Sequence, residues 1–174
     1  MKKSLLIGAL LALPFTASAE GLSYNYVQLD WIASSDVEIE GPGFEADGDG
    51  EGFALEGVFS FTDTFFVEAS YADSEVDIDG GPTVEGDTIT LGVGAHTNQF
   101  TGAVDLFGVV SYIDVEDDDG FGLEIGARTM VKPAIEAFIS YAIADFDEGD
   151  FDGFSIGGLY TFMPQWSVGL EYIS

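Results

Sequence analysis

The feature that most constrains this chain is a two-residue alternation that repeatedly ends on an aromatic ring and passes at once into carboxylates. Residues 104–119, VDLFGVVSYIDVEDDD, are the clearest instance. Val104, Leu106, Gly108, Val110 and Tyr112 share one face, and Asp105, Phe107, Val109 and Ser111 share the other. That period predicts a β-strand. An apolar face that stops at a ring and gives way to charge is the pattern of a strand crossing a bilayer.

The N-terminus sets the compartment. Lys2 and Lys3, an apolar run over residues 5–13 and the small-residue site Ala17-Ser18-Ala19 read as a secretory signal peptide, residues 1–19, cleaved before Glu20. Its apolar run is too short to span a membrane as a helix, and no later segment offers the ~18 to 20 consecutive apolar residues that a helix needs. An exported protein that crosses with strands is the remaining membrane reading. Cysteine is absent, which removes disulfides, a lipidated cysteine and thiolate metal sites. One domain, residues 20–174, is therefore expected without covalent cross-links.

In order along that domain, strands are expected over residues 22–33, 51–61, 65–72, 88–96, 104–113, 121–130, 135–143, 153–162 and 166–174. Acidic stretches at 34–50, 73–87, 114–119 and 145–152 alternate with short neutral links at 62–64, 97–101, 131–134 and 163–165. Gly80, Gly81 and Pro82 are expected to block regular structure in the second acidic stretch. Long connections thus emerge on one side only, as in barrels with short periplasmic turns and long outer loops. A repeated tetrad marks the outer exit: Ser70-Tyr71-Ala72-Asp73, Ser111-Tyr112-Ile113-Asp114 and, more loosely, Ser140-Tyr141-Ala142-Ile143, with Trp31 taking that place on the first strand. Phe61, Phe65, Phe100, Phe162 and Trp166 gather at the short links, giving a second aromatic girdle.

A secreted β-sandwich also has short alternating strands. One-sided loop length and girdles at both ends favour the all-β, antiparallel, up-and-down transmembrane barrel. Nine strands are read here, whereas single-chain bacterial barrels have an even number. Glu171-Tyr172-Ile173-Ser174 falls in register with the exit tetrads, so a fifth outer loop and a tenth, closing strand are expected beyond Ser174, the sequence being truncated. If one assigned strand is false, an eight-stranded barrel is the alternative.

All 32 acidic residues follow the leader, against Arg128 and Lys132 alone among basic ones. That surface excludes nucleic acid as a partner. Parity turns Asp30, Glu56, Glu68, Asp105, Glu124, Glu136 and Glu171 inward, with only Arg128 and His96 to balance them. A turn centred on Lys132 would set Arg128 directly opposite Glu136, with Asp105 diagonal on the other side. This lumen network of Arg128, Glu136, Asp105, Glu124, Glu56 and Glu68 reads either as the polar filling of a packed interior or as a cation-preferring path.

Asp47-Gly48-Asp49-Gly50-Glu51 resembles the first half of a calcium loop, but Val58 stands where a bidentate Glu is required, so no specific metal site is expected. Weak, shared Ca²⁺ or Mg²⁺ binding by Asp47, Asp49, Glu51, Asp117, Asp118 and Asp119 is the milder expectation, with lipopolysaccharide phosphates as the other ligands. No cofactor is implied. The single histidine and the lack of a GxSxG motif argue against an enzyme.

Three segments, Gly21-Leu22-Ser23-Tyr24-Asn25-Tyr26-Val27, Val104-Asp105-Leu106-Phe107 and Leu123-Glu124-Ile125-Gly126-Ala127-Arg128, resemble small outer-membrane barrels of Gram-negative bacteria, OmpA-like in class. The nearest branch in that resemblance is the diffusible-signal-factor-regulated outer-membrane family. The resemblance implies an outer-membrane location, contact with lipid and lipopolysaccharide, and insertion by the outer-membrane assembly machinery. It also implies a closing strand ending in an aromatic residue, and often a basic residue where Val109 stands. The expected role is structural or surface-interactive through acidic outer loops, the surface partner being unspecified; a narrow cation-preferring, porin-like channel is the alternative.

Overall fold

The computed structural model describes residues 6–14, 22–41, 44–78, 81–98, 103–116, 118–147, 149–163 and 166–174. Every regular element among them is a strand: β1 (Leu6–Pro14), β2 (Asn25–Gly41), β3 (Phe44–Ser60), β4 (Phe65–Ile78), β5 (Thr83–Thr97), β6 (Val104–Val115), β7 (Asp118–Lys132), β8 (Ile135–Phe146), β9 (Gly149–Met163) and β10 (Trp166–Ile173). Each pairs antiparallel with its neighbours in sequence, and β1 pairs with both β2 and β10, so the sheet closes into a barrel.

Alternation decides which residues face where. The outward positions form an exposed apolar belt in which Val110 is 60 % and Leu170 64 % accessible, far more large apolar surface than a water-soluble protein leaves uncovered. A closed ladder satisfies each strand's backbone internally, which is what hydrocarbon requires. Trp31, Tyr71, Tyr112 and Tyr141 lie exposed along the outer edge of this belt, and Phe61, Phe65, Phe162 and Trp166 along the short-turn edge. Phe100 lies outside the described residues. Two exit tyrosines donate hydrogen bonds to the first carboxylates beyond the belt, Tyr112 to Asp114 (3.5 Å) and Tyr141 to Asp152 (3.2 Å). The girdle is thus tied to the charged rim.

The acidic stretches differ from the expectation of loops. β2 and β3 pair out to Gly41 opposite Phe44, β4 and β5 out to Asp77 opposite Thr83, and β8 and β9 out to Phe146 opposite Gly149. Carboxylates are excluded from the hydrocarbon, not from strands: beyond the belt they face water while the backbone keeps gaining ladder hydrogen bonds. Gly81 and Pro82 fall past the last pair, Asp77 with Thr83, where they break no ladder; Gly80 lies outside the described residues.

The closing position also differs in its occupant. The strand between β10 and β2, expected from sequence to follow Ser174, is supplied by β1, which lies within the segment read from sequence as a leader: Leu6 pairs with Ile173 and Ala12 with Ser167 on one side, Gly8 with Ile32 and Pro14 with Tyr26 on the other. Among the described residues the barrel therefore has ten strands, nine of them from Asn25 onward.

Candidate functional site

The lumen divides into a floor, a waist and a mouth. The floor lies near the short turns, where inward residues change from small to large. Tyr24, Val58, Phe66 and Val109 are buried together inside the barrel, 2–5 % exposed, with Tyr26 and Phe107 packed against them. Tyr24 is fixed just before β2 by its carbonyl, which accepts from the Ser60 hydroxyl (3.2 Å). Its ring stacks on His96 at 4.0 Å between centroids and meets Phe66 at 4.7 Å. On its other side the Arg128 guanidinium sits 4.6 Å from the ring centroid, within cation–π range.

An ion pair and a histidine–carboxylate hydrogen bond complete the floor. Arg128 Nε donates to Glu136 Oε1 at 2.6 Å, and Arg128 also donates to the Ser23 carbonyl at 3.3 Å. His96 Nδ1 lies 3.0 Å from Asp105 Oδ2, and Asp105 is 5 % exposed. The register differs from the expected one. Arg128 stands opposite Phe138, while Glu136 stands opposite Met130, because the turn is centred on Pro133-Ala134 rather than on Lys132; the bulge between Met130 and Lys132 takes back one residue of that shift. The long Arg128 side chain spans that offset. Asp105 is directly opposite Arg128 rather than diagonal, yet its carboxylate pairs with His96.

Above the floor, Glu56, Glu68, Glu124, Asp30 and Glu171 line the waist. Tyr26 donates to Glu56 at 3.0 Å, and Gln28 donates to Asp30 at 3.0 Å. Along the wall of four neighbouring strands Glu124 bonds Ser140, Ser140 bonds Ser155 (3.2 Å) and Ser155 bonds Glu171, a polar chain from β7 to β10. The mouth, on the long-connection side, is rimmed by Val115, Glu116, Asp118, Phe146, Asp150 and Phe151.

The outer surface carries a second array. Glu51 on β3 pairs with Glu75 on β4, which pairs with Glu85 on β5, and Asp73 pairs with Asp87 one row closer to the membrane. Like charges directly opposite each other destabilise a ladder. Burial on the ladder first, and then the neighbouring carboxylates Asp77, Glu85, Glu51 and Asp73, hold the Glu75 carboxyl above its ordinary range.

The six expected lumen residues all line one interior, but they form two groups: Arg128, Glu136 and Asp105 in the floor, Glu124, Glu56 and Glu68 in the waist. The expected divalent ligands do not converge. Asp49 and Glu51 lie along β3, Asp118 and Asp119 begin β7, Asp47 is placed only by its backbone pairing with Glu38, and Asp117 lies outside the described residues. Among the described residues no group of three or more His, Asp or Glu side chains is placed to hold a metal ion. Tyr24, Phe66, Val58 and Val109 were not singled out from sequence as site residues; the available signal was large apolar side chains at inward parity next to short turns.

These features define a membrane-spanning barrel with an apolar belt outside and a closed, charged interior. The sequence matches the family model of the outer membrane protein beta-barrel domain over residues 4–162, and the chain belongs to that family; it resides in the outer membrane of a Gram-negative cell. No curated protein matches it in sequence. Among solved structures it is similar to the Yersinia pestis outer membrane protein Ail, with 11 % identity, TM-score 0.47 and coverage of 99 % of this chain and 100 % of that one. It is also similar to the KdgM porin, with 9 % identity, TM-score 0.46 and 98 % coverage of both chains. Against a loop-deletion form of OmpT of Vibrio cholerae the identity is 14 % and the TM-score 0.38, and this chain, 88 % covered, spans about half (51 %) of that one.

Proposed function

We propose that the protein acts at the cell surface through its acidic outer face, the barrel serving as a closed anchor. The observation that carries this reading is the floor. Tyr24, Val58, Phe66 and Val109 pack across the lumen at 2–5 % exposure, and the Arg128–Glu136 and His96–Asp105 pairs fill the space beside them. A solute would have to displace that packing to pass. The runner-up is a narrow cation path, favoured by the carboxyl groups of Glu56, Glu68 and Glu124 that line the waist.

Planar-bilayer recording of the refolded chain separates the two. Surface action predicts no steady conductance, and Val109→Gly with Phe66→Ala opens one. A resting, cation-selective conductance that changes with Glu68→Gln would replace the surface reading with the channel.

The outer carboxylates and lipopolysaccharide phosphates together suit loosely held Ca²⁺ or Mg²⁺, which would relieve the repulsion in the Glu51–Glu75–Glu85 row. Calorimetry at physiological ionic strength tests this, and absence of heat removes it. Insertion by the outer-membrane assembly machinery and kinship with the diffusible-signal-factor-regulated branch belong to the same reading. A non-catalytic role fits His96, which is held in the floor between Asp105 and Tyr24, away from the outer surface.

A further inference from the structure

We propose that the outer mouth of the lumen binds a slender organic cation, a guanidinium or alkylammonium head on a short apolar stem. A cavity of about 520 Å³ opens there between the β6–β7 and β8–β9 hairpins. That volume is in the range of small-molecule sites. Its wall is mixed in a particular way: the Phe146 and Phe151 rings and the Val115 side chain supply carbon, while Glu116, Asp118 and Asp150 supply negative charge.

Both rings lie over inward glycines: Phe146 occupies the space a side chain on Gly120 would need, and the half-exposed Phe151 lies in close contact with Gly153. A phenyl face attracts a cation and repels an anion, so rings and carboxylates select the same sign of charge. Arg128 and Lys132 belong to the opposite half of β7. Among the described residues, no Lys or Arg therefore faces Glu116 and Asp150 from this end of the barrel.

The carbon in the wall argues for an organic cation over a metal ion. A hard divalent ion gains from closely packed oxygens and gains nothing from a phenyl ring. Among the described residues no three carboxylates are placed for one. A guanidinium or alkylammonium carries diffuse charge and buries its stem against Phe146, Phe151 and Val115. Below, Glu124 and Glu171 continue the negative lining, so a second charge on the stem would also be met. Because the proposal needs only the mouth, its fate is separate from whether the barrel conducts.

The test is titration of the refolded full chain, in zwitterionic detergent at fixed ionic strength, with butylguanidinium chloride, read by amide chemical shifts and calorimetry. Saturable one-site binding is expected, with the largest shifts at Phe146, Gly149 and Phe151. Phe151→Leu should weaken binding roughly threefold, and Phe146→Leu with Phe151→Leu roughly tenfold, since leucine keeps the packing and removes the π face. Asp63→Asn, in the short turn at the opposite end of the barrel, should leave affinity unchanged. A non-saturating titration, equal losses in Asp63→Asn and the double leucine variant, or displacement by MgCl₂ at matched ionic strength would each overturn the proposal. The leucine pair also guards against misfolding: unchanged affinity in a folded double variant refutes the site directly.

Discussion

The ring of Phe66 lies where any side chain on Gly94, its directly opposed partner on β5, would have to go. The same arrangement joins Phe107 to Gly126 and Phe138 to Gly157, each pair directly opposed across neighbouring strands. Three inward rings are thus accommodated by three inward glycines, which is how a small barrel packs aromatic rings without widening. Gly94→Ala should destabilise the barrel by about 1–3 kcal/mol, as overpacking does in a filled interior. Gly57→Ala is the control, because a Cβ there meets nothing nearer than 4.0 Å. Urea unfolding in lipid vesicles measures both; equal stability of the two variants would show that the rings yield freely.

The floor ion pair predicts an asymmetric response. Arg128 and Glu136 are 11 % and 12 % exposed in their side chains, so removing one partner strands a buried charge. Glu136→Gln should cost about 3 kcal/mol or more, whereas replacing both with Arg128→Met and Glu136→Leu should cost markedly less. A double-mutant cycle by urea unfolding provides the comparison. Additive losses would mean that the pair is solvated from the lumen and contributes little.

The period-two pattern made the barrel legible, because a one-residue slip would turn every apolar side chain from lipid to lumen. Parity alone brought Arg128, Glu136 and Asp105 into one interior. It did not give their register, since the turn falls on Pro133-Ala134 rather than on Lys132, and a bulge between Met130 and Lys132 then moves Glu136 by one residue to stand opposite Met130. The ends of strands were hidden for a different reason. Asp73, Glu75 and Asp77 look like a loop by composition, yet they continue the β4 ladder because only lipid, not strand geometry, forbids them. Tyr24 was hardest to read: its role depends on Ser60, His96, Phe66 and Arg128, which come from four other parts of the chain.

The row Glu51–Glu75–Glu85 predicts a pH dependence of the outer hairpins. The Glu75 carboxyl titrates above the ordinary range, through burial on the ladder and then its acidic neighbours, so the folded hairpin binds a proton more readily than the unfolded chain. Stability is then lost as pH rises from the unfolded value of about 4.3 through the raised value, and the loss is complete above it. Glu75→Gln should increase amide protection across residues 73–87 at pH 7 and change little at pH 4, after correction for intrinsic exchange. Added salt should act in the same direction as the substitution at pH 7. Equal protection of both proteins at pH 7 would show that the row is already relaxed by solvent.

The leader makes the sharpest prediction, because the segment read as cleaved before Glu20 supplies the strand that closes the barrel. β1 pairs with seven residues of β10, Ser167–Ile173, and seven of β2, Tyr26–Ile32. Without β1, both edges would present unpaired backbone groups within the belt, where each unsatisfied group costs several kcal/mol. A chain of residues 20–174 refolded into vesicles should therefore fail to give a compact, protease-resistant, heat-modifiable monomer. Appending an alternating strand of about ten residues after a short link beyond Ser174 should restore it, since that strand can take the place of β1 between β10 and β2. Electrophoretic mobility with and without boiling, together with protease resistance, measures the outcome. A 20–174 monomer as resistant as the full chain would mean that β2 and β10 close directly on each other, and that the tenth position is not required.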